Sequence, residues 1–320
     1  GTPLQVSAAK KAATNNKYAG YLFAYFEGSG NQQEHLRFAI SEDAKNWYAL
    51  NDNQPVIASD SISTSGGIRD PHILRGEDGC YYIVATDMNT VKNGWKDNPG
   101  IVLMKSKDLV NWTHSKIVLK EDYKEHFSDA YWVWAPQTIY DKKAKKYMVY
   151  FSILTDDGQC PYDKVFWAYA NEDFSDLEGE PKVLFDYKKP SIDTDIVQDD
   201  NGTYHIFFKT EGEQKKGIRQ YLAKDLHNPA EWELLPGTFE DTDKAVEGSG
   251  VFQRIEGDWV LMYDCYMNGH YQFCTSKDLM KFKRVQDTAT QGAFTPRHGT
   301  VIAITQKELK RLQKAFPNTK

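Results

Sequence analysis

The chain has 320 residues, a formal net charge of -6 and 13% aromatic residues. The charge is spread without a basic block, so the chain lacks the positive footprint that a phosphate backbone requires, and nucleic acid is excluded as a partner. No apolar run approaches the roughly 18 residues needed to cross a bilayer, and the length suits one large all-β domain.

In chain order, residues 1–16 are polar and Ala/Lys-rich with no strand pattern. They are expected to be a disordered or extended segment outside the fold, with residues 17–320 as a single domain. Nothing at the start reads as a charged segment followed by an apolar stretch. From Tyr21 onward, a unit recurs five times, combining a near-continuous apolar strand with a later S-x-D-x-x-x-W-like segment. The strands are Tyr21 to Phe26, Tyr81 to Ala85, Tyr147 to Ile153, Tyr204 to Phe208 and Trp259 to Tyr263. The second part places Asp at 43, 108, 173, 225 and 278, spaced 65, 65, 52 and 53 apart. Four units carry a further strand and turn upstream, such as Asp193 to Val197 followed by Asp199-Asp-Asn-Gly202. The first unit lacks one, and Arg297 to Ile304 near the far end can supply it. The pattern predicts a five-bladed β-propeller whose ring is closed by the C-terminal strand completing the N-terminal blade, which removes two sheet edges. Leu309, Leu312 and Phe316 at helical spacing predict a short terminal helix.

Cys80, Cys160, Cys265 and Cys274 are too few and scattered for a disulfide framework or a zinc site. A two-residue Asn268-Gly269 turn would pair Cys265 with Gln272 and leave the two nearby cysteines diagonal. The acidic run from Asp193 to Asp200 is no EF-hand, because Val197 occupies the third ligand position of that spacing.

Innermost propeller strands line the channel, so their first residues converge at one mouth. Aligned on their apolar runs, these residues are Asp70, Gln137, Asp193, Glu247 and His298. Three are carboxylates. Clustered, partly desolvated carboxylates push one another's pKa values apart, which is the split between ionised base and protonated acid that glycoside hydrolysis needs. Asp70 before Pro71 in isolation would be a turn cap, and Glu247 with Gly-Ser-Gly lacks the full nucleophile elbow of a serine hydrolase. Their common place in the stack favours chemistry. Trp132, Trp134 and Phe294 read either as core or as faces for sugar rings. Arg69 and Arg297 flank the acidic strands and either bond sugar hydroxyls or neutralise the acids.

Ile68-Arg-Asp-Pro71, Trp134-Ala-Pro-Gln137, Ile192-Asp-Thr-Asp-Ile196, Val246-Glu-Gly-Ser-Gly250 and Pro296-Arg-His-Gly299, in this order, resemble glycoside hydrolase family 43. The resemblance implies an inverting mechanism with Asp70 as general base, Asp193 as pKa modulator and Glu247 as general acid, the two working carboxyls roughly 6.5 to 9.5 Å apart. Asp195, two residues on along the same strand, is the alternative modulator. Trp134, Gln137, Arg297, His298 and Arg69 are the expected substrate-binding residues. Many relatives carry Asp where this chain has Gln137. The resemblance also implies that His298 can lie near a central calcium, although one His and distant carboxylates make a loose site; no cofactor is expected to be required. The implied activity is release of a terminal pentose, foremost α-L-arabinofuranose, from plant-type polysaccharide or arabinogalactan side chains. The same trio serves β-xylosidases, endo-arabinanases, xylanases and β-galactofuranosidases. The non-enzyme alternative is a carbohydrate-binding propeller. The expected setting is a secreted or periplasmic monomer.

Overall fold

Each of the five apolar runs becomes the second strand of a sheet, hydrogen-bonded to a strand on either side, with its two faces covered by the neighbouring blades. The computed structural model describes residues 17–30, 32–156, 160–211, 217–291 and 294–319; the N-terminal segment through Asn16 lies outside them. Among the described residues the strands form five sheets, which are the blades. The second blade runs Ile68–Arg75, Tyr81–Asp87, Gly100–Ser106 and Trp112–Val118, and the third Ala130–Asp141, Lys146–Thr155, Lys164–Tyr169 and Lys182–Phe185. The fourth contains Ser191–Gln198, Tyr204–Thr210, Gly217–Ala223 and Glu233–Leu234, and the fifth Glu247–Gln253, Trp259–Cys265, His270–Ser276 and Lys283–Asp287.

The first blade closes the ring. Its innermost strand is Arg297–Thr305, paired antiparallel to Tyr18–Phe26 with Leu22 opposite Ile302. The helix Gln306–Ala315 follows directly and is started by a capping box between Thr305 and Glu308. Glu308 also takes two hydrogen bonds from Arg75 of the second blade, at 2.6 and 3.0 Å, so the chain end is tied across the closure.

The recurring Asp positions are turn chemistry. Asp43, Asp108 and Asp278 each accept backbone N–H groups from residues two and three further on, with Ser41, Ser106 and Ser276 donating to the same carboxylates. They close the turn between third and fourth strands, which explains why the segment repeats without carrying function. The Cys265 hairpin differs from the sequence expectation. Cys265 pairs with His270 across a four-residue loop, Cys274 stands opposite Leu261, and the two are not joined by a disulfide.

Candidate active site

Every innermost strand carries one extra residue at the same height. The ladder steps from Arg69↔Thr86 to His72↔Val84, from Trp134↔Ser152 to Gln137↔Tyr150, from Ile192↔Lys209 to Asp195↔Phe207, from Glu247↔Asp264 to Gly250↔Met262, and from Phe26↔Arg297 to Ala24↔Thr300. A bulge leaves its residue unpaired and re-aims the side chain, a device found beside active sites. The bulge residues include Asp70, Ala135, Asp193 and Gly248, all at positive φ between 50° and 69°. Aspartate tolerates that region better than most residues, and glycine enters it freely.

The bulges correct the sequence alignment of the channel mouth. The true ring of bulge residues is Asp70, Ala135, Asp193, Gly248 and His298, and the ring just outside it is Arg69, Trp134, Ile192, Glu247 and Arg297. Glu247 belongs to the outer ring. Gln137 drops one layer deeper with His72, Asp195 and Thr300; it is 1% exposed, and its amide donates to Thr194 O at 2.8 Å and Asp195 Oδ1 at 2.7 Å. It does not reach the cleft as a substrate-binding residue. Asp195 also lies in this layer, accepting from Val251 N at 2.7 Å, so the carboxylate that faces the cleft is Asp193.

The mouth is a cleft of about 420 Å³ counted out to solvent, lined by Asp70, Asp193 and His298 of the inner ring, by the outer ring, and by Phe26, Met88 and Trp95. A larger hollow of about 1290 Å³ lies at the outer edge between the first blade and the terminal helix, and its Asp43 is the turn residue described above. Trp134 lines the cleft and stacks on Trp132 at 4.1 Å, while Phe294 is core against Tyr25. The Arg69 guanidinium lies 4.5 Å from the Phe26 ring and 5.1 Å from that of Trp95, bonded at 3.0 Å to buried Glu34.

His298 organises the charges. Its Nδ1 is 3.1 Å from Asp70 Oδ1 and 3.6 Å from Asp193 Oδ1. Burial disfavours the imidazolium, but Asp193 and Asp70 outweigh it and raise His298 to about 9, so the ring is a cation at neutral pH. Burial would raise Asp70, yet the His298 cation, Arg69 and a 2.8 Å hydrogen bond from Thr86 hold it below the ordinary carboxylate range. Glu247 behaves oppositely: burial first and Asp193 second push it up to about 7, against Lys209 and Arg297. Asp193 is raised by burial, opposed by His298 and assisted by Asp70, and it accepts the Gly248 N–H at 2.7 Å. The charge of Asp193 is second only to burial in raising Glu247. One cleft thus presents an ionised and a protonated carboxyl to the same space.

A calcium ion takes six to eight oxygen ligands. Among the described residues no group of three or more His, Cys, Asp or Glu converges as a metal site. His298 Nδ1 is committed to Asp70, and its buried Nε2 has no hydrogen-bond partner among the described residues. A single imidazole nitrogen is not a calcium cradle.

Asp163 and Thr86 were not signalled individually by the sequence. Asp163 accepts the Trp132 indole N–H at 2.7 Å and is raised to about 7, by burial foremost and by the charge of Asp193. Its folded pKa exceeds the ordinary 3.8, so its contribution to stability is full below pH 4 and is lost as pH rises through about 7. Asp163→Asn keeps the acceptor for Trp132 and removes the titration. It is expected to stabilise the protein relative to wild type by about 2–4 kcal/mol at pH 8 and by much less at pH 4, read from urea midpoints.

A family model described as "Probable glycosyl hydrolase domain", that of the family-43-related glycosyl hydrolases, matches residues 16–310. An alpha-L-arabinofuranosidase of Bifidobacterium longum subsp. longum is 29% identical over 213 residues, 60% of this chain and 20% of that protein. A 1,2-beta-oligomannan phosphorylase of a Thermoanaerobacter species is 30% identical over 96 residues, 30% of each chain. The chain thus spans 20% to 30% of the length of these curated relatives. An endo-arabinase from Bacteroides thetaiotaomicron shares the fold, with a TM-score of 0.59 and 15% identity over 86% of this chain and 90% of that one. From the first blade through the strand that closes the ring, the chain belongs to the family-43-related glycosyl hydrolases.

Proposed function

We propose that this propeller is an inverting, exo-acting glycosidase that releases terminal α-L-arabinofuranosyl residues from plant-type polysaccharide or arabinogalactan side chains. The observation that carries the reading is the opposite displacement of two carboxyls in one cleft, Asp70 downward and Glu247 upward. Ionised Asp70 takes a proton from a water attacking the anomeric carbon, the glycosidic C–O bond breaks, and Glu247 delivers its proton to the departing oxygen. Asp193 holds negative charge beside Glu247 and delays loss of that proton until pH reaches about 7. His298 keeps Asp70 ionised, and Trp134 offers its face to the sugar ring. Support for the pentose comes from the arabinofuranosidase that is similar to this chain over 60% of its length. A polymer that cannot enter a cell is met outside it, and the reading includes a secreted or periplasmic, monomeric protein.

The test is turnover of aryl α-L-arabinofuranoside and aryl β-D-xyloside, with and without inorganic phosphate, following the first-formed product by NMR. Release of the inverted free sugar, faster from the arabinofuranoside and indifferent to phosphate, is expected. A sugar phosphate as the product would replace hydrolysis by phosphorolysis, a retained anomer would overturn the role of Asp70, and preference for the xyloside would overturn the sugar.

A further inference from the structure

Glu247 faces a second, fully buried carboxylate for which the acid–base scheme has no use. Asp264 stands opposite Glu247 in the ladder, within Trp259–Cys265, a strand buried at every position. An acid placed among Trp259, Val260, Leu261, Met262, Tyr263 and Cys265 is costly unless its charge is met. It is met on one oxygen. Oδ2 accepts from Arg297 Nε at 2.6 Å and from His298 N at 3.4 Å, whereas Oδ1 is buried without a hydrogen-bond partner among the described residues. Arg297 is the same residue whose Nη2 lies 3.6 Å from Glu247 Oε1, beyond hydrogen-bond distance. One guanidinium edge is therefore locked on Asp264 while another stops short of the acid.

We propose that Asp264 is a positioning residue for the acid step: by gripping Arg297 it keeps the guanidinium from closing on Glu247, so that Glu247 retains the proton it must donate. The inference rests on the reading of Glu247 as the acid. Arginine does not give up its charge, so only its distance can vary, and a freed guanidinium would pair with the Glu247 carboxylate in the two-pronged geometry it favours. The other charged groups facing Glu247 are Asp193 from the inner strand of the fourth blade, Lys209 from the strand behind it, and His298 from the closing strand. Lys209 is itself bonded to Glu211, which limits its pull. Asp264 acts on Glu247 in one direction twice over, through its own negative charge and through the hold on Arg297.

The experiment is the pH dependence of kcat/KM on two aryl glycosides, one with a poor and one with a dinitrophenyl leaving group, for wild type, Asp264→Asn, Arg297→Gln and the double variant. Asp264→Asn is expected to shift the alkaline limb down by about one pH unit with the poor leaving group, and to spare the dinitrophenyl substrate, which needs no acid. Arg297→Gln is expected to move the limb upward, and the double variant to return toward wild type. Equal loss at every pH with both leaving groups would make Asp264 merely structural and overturn the inference. If Asp264→Asn fails to fold, Arg297→Gln still decides, because an unmoved limb overturns the proposal. Glu247→Gln separates the two readings: if it keeps the alkaline limb, the acid assignment itself falls; if it removes the limb while Asp264→Asn leaves it in place, only the role of Asp264 falls.

Discussion

Glu247→Gln is expected to lower kcat/KM on an aryl glycoside with a poor leaving group by about 10³-fold and to abolish the alkaline limb near pH 7. With a dinitrophenyl leaving group the loss shrinks to about tenfold, since that phenolate departs without a proton. Asp70→Ala should show no such relief. It removes the group that activates water, so the rate falls by about 10³-fold whichever phenol leaves, and added azide restores release by forming the inverted glycosyl azide with Glu247 still protonating the departing oxygen. The contrast follows from the electrostatics. Burial raises both carboxyls, but Asp70 has the His298 cation at 3.1 Å while Glu247 has the Asp193 charge and an Arg297 held 3.6 Å away. If both variants respond alike to leaving-group acidity, the assignment of one acid and one base is wrong.

The blades were legible because their signals are local. Apolar runs such as Tyr204 to Phe208 and turn aspartates such as Asp108 state their role within a few residues, and the C-terminal strand was found by asking which blade lacked one. The candidate acids come from stacking the five inner strands and from the family resemblance, which are comparisons across the whole chain. What the sequence hid was register at the mouth, since one inserted residue in each inner strand breaks the period-two count on which alignment depends. That is why Gln137 was placed at the rim and Ala135, a residue with no reach, was not. The sequence also holds a subtler signal. Three second strands end in polar residues that an apolar strand has no local reason to contain: Thr86 bonds Asp70, Lys209 faces Glu247, and Asp264 grips Arg297. Buried polar groups are the informative ones. Trp95 and Glu34 sit in irregular segments with no periodic pattern, and only the folded chain brings them to Arg69.

Gly248→Ala is expected to cost about 10²-fold in kcat/KM although it removes no reacting group. Gly248 occupies φ +69°, and a Cβ built there would lie 2.8 Å from Cγ and 2.9 Å from Cβ of His298. Both contacts are closer than real Cβ atoms allow, and the ring is buried, so the imidazole must move. Its displacement lengthens the 3.1 Å contact with Asp70, and the cation that offsets burial weakens. The pKa of Asp70 then rises, which shifts the acid limb of kcat/KM to higher pH, whereas Glu247→Gln acts on the alkaline limb. The Gly248 N–H that Asp193 accepts at 2.7 Å is disturbed in the same step. Circular dichroism and the urea midpoint should record only about 1–2 kcal/mol of destabilisation, because the clash is confined to one side chain and one left-handed residue. An acid limb that stays in place while activity falls would mean that Gly248 shapes the sugar-binding surface instead, and that His298 does not control the ionisation of Asp70.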